Sequence, residues 1–432
     1  MRLLYRWFDT NAVILVNASS LFGTRIVTSV LGFIYWGLAA RLYTPKAVGL
    51  ASAAISAMLL LGTIGVLGFG TLLIGELPRR PQKAGPLLTT SLVVAGTASL
   101  GLGFLFAAFA RFVSHDLTPL AQNLGNMTLF TVGVALTTIT LVLDQALIGL
   151  LRGNLQLHRN TIFSLVKLGA VFVTGWLLTD QLGLTIYATW AFGNLASLGY
   201  VAWASRPGPF RPGAYQPQWG LLRELKGPAL RHYLLNLTLQ VPGYTLPLVV
   251  TVLLSTEANA GFYVAWMLAT SLFMMPQALT TVLYAVGAAD TAALAEKMRF
   301  TLKFSLGIGV LGSILLLTGA NLLLHFFGES YVEQASASLR ILALGIFPII
   351  IKVHFVAICQ IRNRMLDAAK VMAVGGSIEL ILAAVGAHIG GLTGLSLGWV
   401  IAITIEGIVS LPLVYRVARP QESLSAIERT TS

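Results

Sequence analysis

The sequence is short of charge, of acids and of cysteine, and each shortage removes a class of protein. Only 10% of the 432 residues are charged while 56% are hydrophobic, and the mean hydropathy is +0.81, so no soluble globular class fits. Cys359 is the single cysteine, which excludes an intramolecular disulfide and a cysteine metal cluster. Walker A, HExxH and histidine-cluster patterns are all missing, so no cofactor and no metal is expected. Two glycine patterns do occur, GxGxxG over Gly307–Gly312 and GxSxG over Gly394–Gly398. Both lie inside apolar runs of a chain with 43 glycines, without the strand-to-helix setting that gives such motifs their mechanics.

What the chain has instead is long apolar runs. They cover about 12–41, 46–75, 87–111, 124–151, 161–180, 182–204, 228–254, 258–287, 301–327, 339–361, 365–388 and 391–415. Each is near or above the roughly 20 residues a helix needs to cross the hydrocarbon of a bilayer. The expected fold class is therefore all-α integral membrane, with about twelve transmembrane helices. The start, MRLLYRWFDTNAVILVNASS, is basic like a signal peptide, yet its apolar stretch runs on to about residue 40. It reads as an uncleaved first span.

Lysine and arginine number 28 against 16 acids, a net charge of +12. In a soluble protein that excess would point to nucleic acid. Here the bases have an address: 20 of them lie in the two tails and in alternate loops, while the opposite loops hold only Arg41 and Lys46. The positive-inside rule then places both termini, and the loops containing Arg79, Arg211, Arg299 and Arg364, in the cytoplasm. No nucleic-acid partner is expected. The loops on the other side are at most about a dozen residues long, too short for a folded domain.

The polar, proline-rich stretch 205–227 sits near the midpoint with six apolar runs on either side. It divides the chain into an N-lobe (1–204), a cytoplasmic linker (205–227), a C-lobe (228–417) and a cytoplasmic tail (418–432). The halves look related. Thr44 and Gly49 match Thr256 and Gly261 at an offset of 212, Arg152 matches Arg362 at 210, and Gly183-Leu184-Thr185 matches Gly391-Leu392-Thr393 at 208. Six helices per half keep the two repeats in the same orientation, a parallel repeat. Pro242, Gly243 and Pro247 are expected to interrupt the seventh span and Pro276 the eighth.

Six bases remain within the apolar runs: Arg25, Arg111, Lys167, Arg231, Arg340 and Lys352. Arg111 and Arg340 are at span ends, where a long side chain can reach the interface. Arg25, Lys167 and Lys352 are deep, where translocon scales assign a charge a cost of roughly 2.5–3.5 kcal/mol. Asn17, Ser20, Thr24, Thr28 and Gly32 share a helix face with Arg25, and Ser164 and Thr174 share one with Lys167. The deep acids are Asp144, Glu379 and Glu406. They either pair with the bases, for instance Glu379 with Lys352, or couple transport to an ion. The first half offers only Asp144 for two deep bases, which favours a basic cavity open to an anion, most naturally a phosphate. Trp36, Tyr244, Tyr263 and Trp266 could stack on sugar rings but suit packing or an interfacial belt better.

An arginine in the first span, the turn ARLYTPKAVGLASA, twelve spans in two halves and a basic mid-chain linker together resemble the Wzx-type polysaccharide flippases of the multidrug/oligosaccharidyl-lipid/polysaccharide (MOP) exporter superfamily. The resemblance implies a MATE-like fold of two six-helix lobes that rock about a central cavity in the bacterial inner membrane. It implies an activity that is not enzymatic: moving undecaprenyl-diphosphate-linked oligosaccharides from the cytoplasmic to the periplasmic leaflet for O-antigen or other polysaccharide synthesis. The expected partners are the polyprenyl-diphosphate-linked glycan, the bilayer and polysaccharide assembly proteins. Arg25 would receive the diphosphate, with Lys167, Arg231 and Lys352 completing a cationic cavity. Two other readings stand beside it, a cation-coupled multidrug exporter of the same superfamily and a membrane-embedded glycan polymerase or ligase. The second lacks the large outer loop or acidic motif such enzymes carry.

Overall fold

A computed structural model describes residues 23–24, 26–177, 183–205, 216–220, 226–289 and 294–419; among them every regular element is helical. The longer helices are Ile26–Leu42, Pro45–Gly65, Phe69–Glu76, Ala84–Val113, Leu124–Gly149, Gly153–Leu177, Gly183–Ala204, Lys226–Leu253, Thr256–Ala289, Leu294–His325, Glu329–Leu344, Ile346–Ile361 and Met365–Ala418. Among the described residues, eight segments are long and apolar enough to cross a membrane alone, and the pair Glu329–Leu344 and Ile346–Ile361, bent by 44°, makes a ninth if taken as one span. Ile26–Leu42, Gly183–Ala204 and the second arm of Met365–Ala418 fill the remaining runs, so helices stand at all twelve predicted positions.

Local chemistry sets several of the ends. Thr44 caps Pro45–Gly65 by accepting from the Ala47 N–H at 3.2 Å, with Pro45 in the first turn, where its missing N–H costs nothing. Asn123 caps Leu124–Gly149 by accepting from the Asn126 N–H at 2.8 Å. The prolines do not break their helices as expected. Lys226–Leu253 runs unbroken through Pro242 and Pro247, and Thr256–Ala289 through Pro276. Threonines add local bonds there, Thr251 to the Pro247 carbonyl and Thr280 to the Pro276 carbonyl, both at 3.0 Å.

The parallel repeat is written in the backbone. The Leu124–Gly149 helix ends with Leu151 at φ 55° and the Arg152 N–H on the Leu147 carbonyl at 2.8 Å. The Ile346–Ile361 helix ends with Asn363 at φ 56° and the Arg364 N–H on the Cys359 carbonyl at 2.7 Å. These are the same helix stop at an offset of 212, so the counterpart of Arg152 is Arg364 rather than Arg362. The two glycine motifs are interior to helices, and bare Gly394 and Gly398 let the second arm of Met365–Ala418 approach the Gly386 and Leu382 carbonyls of the first.

By packing, the chain forms two compact units, Met1–Tyr263 with His325–Tyr331, and Val264–Leu324 with Val332–Ser432. The division falls at Tyr263, beyond the 205–227 linker, because the Lys226–Leu253 helix packs on Pro45–Gly65. In the first unit Pro45–Gly65 is central, touching Ala84–Val113, Leu124–Gly149, Gly183–Ala204 and Lys226–Leu253. The Asn259 side chain donates to the Gly49 carbonyl and to Ser52 Oγ, each at 3.0 Å, and a Cβ on Gly49 would fall on the Thr256 carbonyl. In the second unit Trp399 is buried against Trp266 and Phe273, with ring centroids 4.8 and 6.0 Å away.

Candidate functional site

Lys167 lies midway along Gly153–Leu177 and is only 4% exposed. Its ammonium is set among ring faces, 3.6 Å from the Trp190 centroid, 4.5 Å from Phe163 and 4.8 Å from Tyr35. The rings brace one another edge to face, with Trp190 centroids 5.4 Å from Phe163 and 5.9 Å from Tyr35. The Tyr35 hydroxyl is tied at 2.9 Å to Thr189 and donates at 3.1 Å to the Ile186 carbonyl. Thr174, placed by sequence on the Lys167 face, bonds the Tyr43 hydroxyl at 2.7 Å. Among the described residues no carboxylate and no hydrogen-bond acceptor reaches the Lys167 ammonium. A cation–π contact is worth up to about 2 kcal/mol when desolvated, against an effective penalty of several kcal/mol for an ion taken out of water. The cage softens the burial of this charge, and its three N–H donors stay available.

Asp144, the deep acid expected to serve Arg25 or Lys167, is committed elsewhere. Arg159 grips it with both arms, Nε to Oδ1 at 2.8 Å and Nη2 to Oδ2 at 2.6 Å, and Asn160 and Ser197 complete the network. The sequence reading counted Arg159 among the cytoplasmic loop bases, yet it is 3% exposed and within Gly153–Leu177. A bidentate arginine–carboxylate fork is the strongest form of such a pair, so Asp144 neutralises Arg159 and leaves Lys167 without it.

In the second unit the balance is reversed. The Lys352 ammonium sits 2.7 Å from Glu379 Oε1 and 2.7 Å from Glu406 Oε2, and Trp399 Nε1 donates to Glu379 Oε2 at 2.7 Å. All three charged side chains are buried. Gly375 makes room for Glu406, since a Cβ there would fall on its carboxylate. Lys352 is thus held between two acids, and an anion would meet a site that is already acidic.

The remaining residues named from sequence are scattered. Arg25 lies outside the described residues. Arg231 is exposed near the start of Lys226–Leu253. Arg111 is exposed against the Phe112 ring at 4.7 Å, and Arg340 donates to the Leu317 carbonyl and Asn321, both at 3.1 Å. Trp36 and Tyr263 pack on each other at 4.6 Å, as the packing reading of those rings has it. Sequence reasoning missed Arg159, Trp190 and Trp399. Arg159 could have been found from its place a turn and a half past the helix start at Gly153.

Residues 14–223 match the family described as polysaccharide biosynthesis protein. Among curated proteins, none matches the chain in sequence. In three dimensions the chain is similar to an inward-facing conformation of a multidrug resistance MATE family transporter of the MOP superfamily, with a TM-score of 0.70 and 16% identity over 94% of this chain and 96% of that one. The outward-facing conformation of a MATE family transporter matches at 0.64, with the same identity and coverage. A MOP superfamily transporter from Pyrococcus furiosus, described as having a binding pocket of reverse polarity, matches at 0.64 and 16% identity over 94% of this chain and 95% of that one.

Proposed function

We propose that this chain, a MOP-superfamily transporter as its sequence resemblance implied, is a flippase for polyprenyl-diphosphate-linked oligosaccharides. One observation carries the reading: Lys167 is a buried cation whose described neighbours are rings rather than acids, in the unit that matches the polysaccharide biosynthesis family. Moving a diphosphate past hydrocarbon requires countercharge at depth. Lys167 supplies it, with Arg25 and Arg231 as further bases toward the same anion, while Lys352 is withdrawn from that role by Glu379 and Glu406. In this reading the lipid tail stays in the bilayer, the head group crosses by alternating access, and the movement runs from the cytoplasmic to the periplasmic leaflet of the bacterial inner membrane in polysaccharide or O-antigen synthesis. Carrying two negative charges outward across about 100 mV releases on the order of 4–5 kcal/mol.

The test is movement of a lipid-diphosphate-linked sugar in proteoliposomes. Lys167→Met is expected to cut the rate at least about tenfold, the equivalent of about 1.4 kcal/mol lost from anion stabilisation, while the protein still inserts and keeps its fold. An unchanged rate overturns the assignment of Lys167. The alternative, a multidrug exporter coupled to a cation, draws on the buried acids Glu379 and Glu406 and on the MATE likeness. It requires that the chain protect a drug-sensitive host and that Glu406→Gln abolish the protection.

A further inference from the structure

A stripe of polar residues runs along one face of a membrane-length helix in the second unit. Gln277, Thr280, Thr281 and Tyr284 of Thr256–Ala289 are spaced i, i+3, i+4, i+7 and fall on one side. They line a cavity of about 210 Å³ whose opposite wall is Ile346–Ile361. Buried Val356 and Ala357 form the floor of that wall, and Gln360 its polar end. In membrane spans such side chains ordinarily hydrogen-bond to a neighbouring helix. Here, among the described residues, the side chains of Gln277, Gln360 and Tyr284 make no hydrogen bond.

The internal repeat supplies a control. The offset of 212 relates Thr44 to Thr256 and the helix stop at Leu151 to that at Asn363. It sets Gly65 against Gln277, Phe69 against Thr281, Leu72 against Tyr284 and Ile148 against Gln360. In the first unit that place is shut. Phe69 and Leu72 are buried in an apolar cluster with Leu73, Val142 and Ala146, and a Cβ on Gly65 would fall on Ser99 Oγ. Asp144, the counterpart of Val356, is taken by Arg159. The fold itself therefore does not require an open polar space here, because its other copy fills the space.

We propose that this cavity is a saccharide subsite, which takes one pyranose ring of the cargo glycan. Among the described residues no carboxylate, lysine, arginine or histidine lines it, so it matches neither a diphosphate nor an organic cation. The Thr281 hydroxyl donates to the Gln277 carbonyl at 2.8 Å, and the Thr280 hydroxyl to the Pro276 and Gln277 carbonyls at 3.0 Å. With their protons committed to their own helix, both oxygens face a ligand as acceptors. The amides of Gln277 and Gln360 bring donors as well as acceptors, and Tyr284 adds a ring face and a hydroxyl. A sugar ring has neighbouring hydroxyls that each donate and accept, and apolar C–H faces. It matches this neutral mixture. At about 210 Å³ the cavity is smaller than the roughly 300–1,000 Å³ typical of drug-sized ligands, and suits one ring rather than several. Gln360 lies just before the helix stop at Asn363, at the end that the positive-inside rule assigns to the cytoplasm. That is the side on which the proposed cargo is loaded.

The proposal rests on the flippase reading only for the identity of the glycan as cargo; binding of a sugar ring is tested without lipid or movement. The probe is a panel of methyl glycosides, N-acetylated ones included, and the readout is saturation-transfer NMR on the full chain in lipid nanodiscs. Transfer to ring protons is expected in the wild type. It is expected to fall at least about tenfold in the double variant Gln277→Leu with Gln360→Leu, which loses two hydrogen-bonding side chains. Leucine favours membrane insertion at both positions; should the double variant still fail to fold, Thr281→Val, which removes one acceptor and keeps the shape, carries the same decision. No transfer from the wild type to any glycoside, or undiminished transfer in the folded variant, overturns the proposal.

Lys167→Met is expected to keep the transfer. In proteoliposomes the wild type is expected to move a lipid diphosphate that carries a sugar faster than the bare lipid diphosphate, and the double variant to lose that preference. Sugar binding without movement of either lipid leaves the subsite in place and overturns the flippase reading. Movement without sugar binding does the reverse.

Discussion

Arg159, Lys167 and Lys352 are three buried bases with three different surroundings, and those surroundings decide what each can do. Arg159 is matched by one carboxylate, Lys352 by two and Lys167 by three aromatic faces. Arg159→Met would strand Asp144 in the interior and is expected to destabilise the protein by about 3–5 kcal/mol. Thermal unfolding in detergent checks this. The double change Asp144→Asn with Arg159→Met is expected to recover most of the loss, because it removes the orphaned charge along with its partner. Lys167→Met removes a charge whose described neighbours are only rings, so its melting temperature is expected to stay level or rise. That contrast between two substitutions of the same kind separates a base held for structure from one held for a ligand.

Among the elements, Met365–Ala418 is the clearest case of a helix shaped by single residues. It carries Glu379 on one arm and Glu406 on the other, and it turns at Gly390 and Gly391. Gly391 has φ 58° and ψ −139°, a backbone that side chains rarely adopt, whereas Gly390, at φ −142°, is not confined to glycine. Both have open space where a Cβ would go, so sterics with neighbours do not distinguish them. Gly391→Ala is expected to cost about 1–3 kcal/mol of stability, and Gly390→Ala less than about half of that.

For the whole molecule, the open question of orientation can be put to the chain's own cysteine economy. Cys359 is buried, so the native protein is expected to react little with impermeant thiol reagents. Exposed Lys46 and Arg79 then serve as reporters on opposite sides. Lys46→Cys is expected to label in intact cells and Arg79→Cys only after the membrane is opened; the reverse pattern would invert the topology and with it the direction of the proposed transport.

Composition and periodicity alone determined that this is a helical membrane protein, where its helices run and that its halves repeat, because bilayer crossing demands long apolar runs whatever their neighbours are. They also located every deep acid and all the deep bases but one, since a charge in an apolar run is visible without a structure. Partnership was not legible. That Asp144 serves Arg159, that Glu379 and Glu406 converge on Lys352, and that Tyr35, Phe163 and Trp190 enclose Lys167 depend on residues as far apart in sequence as Tyr35 and Trp190 meeting across helices. A charge announces itself along the chain, but what neutralises it is decided only when the helices pack.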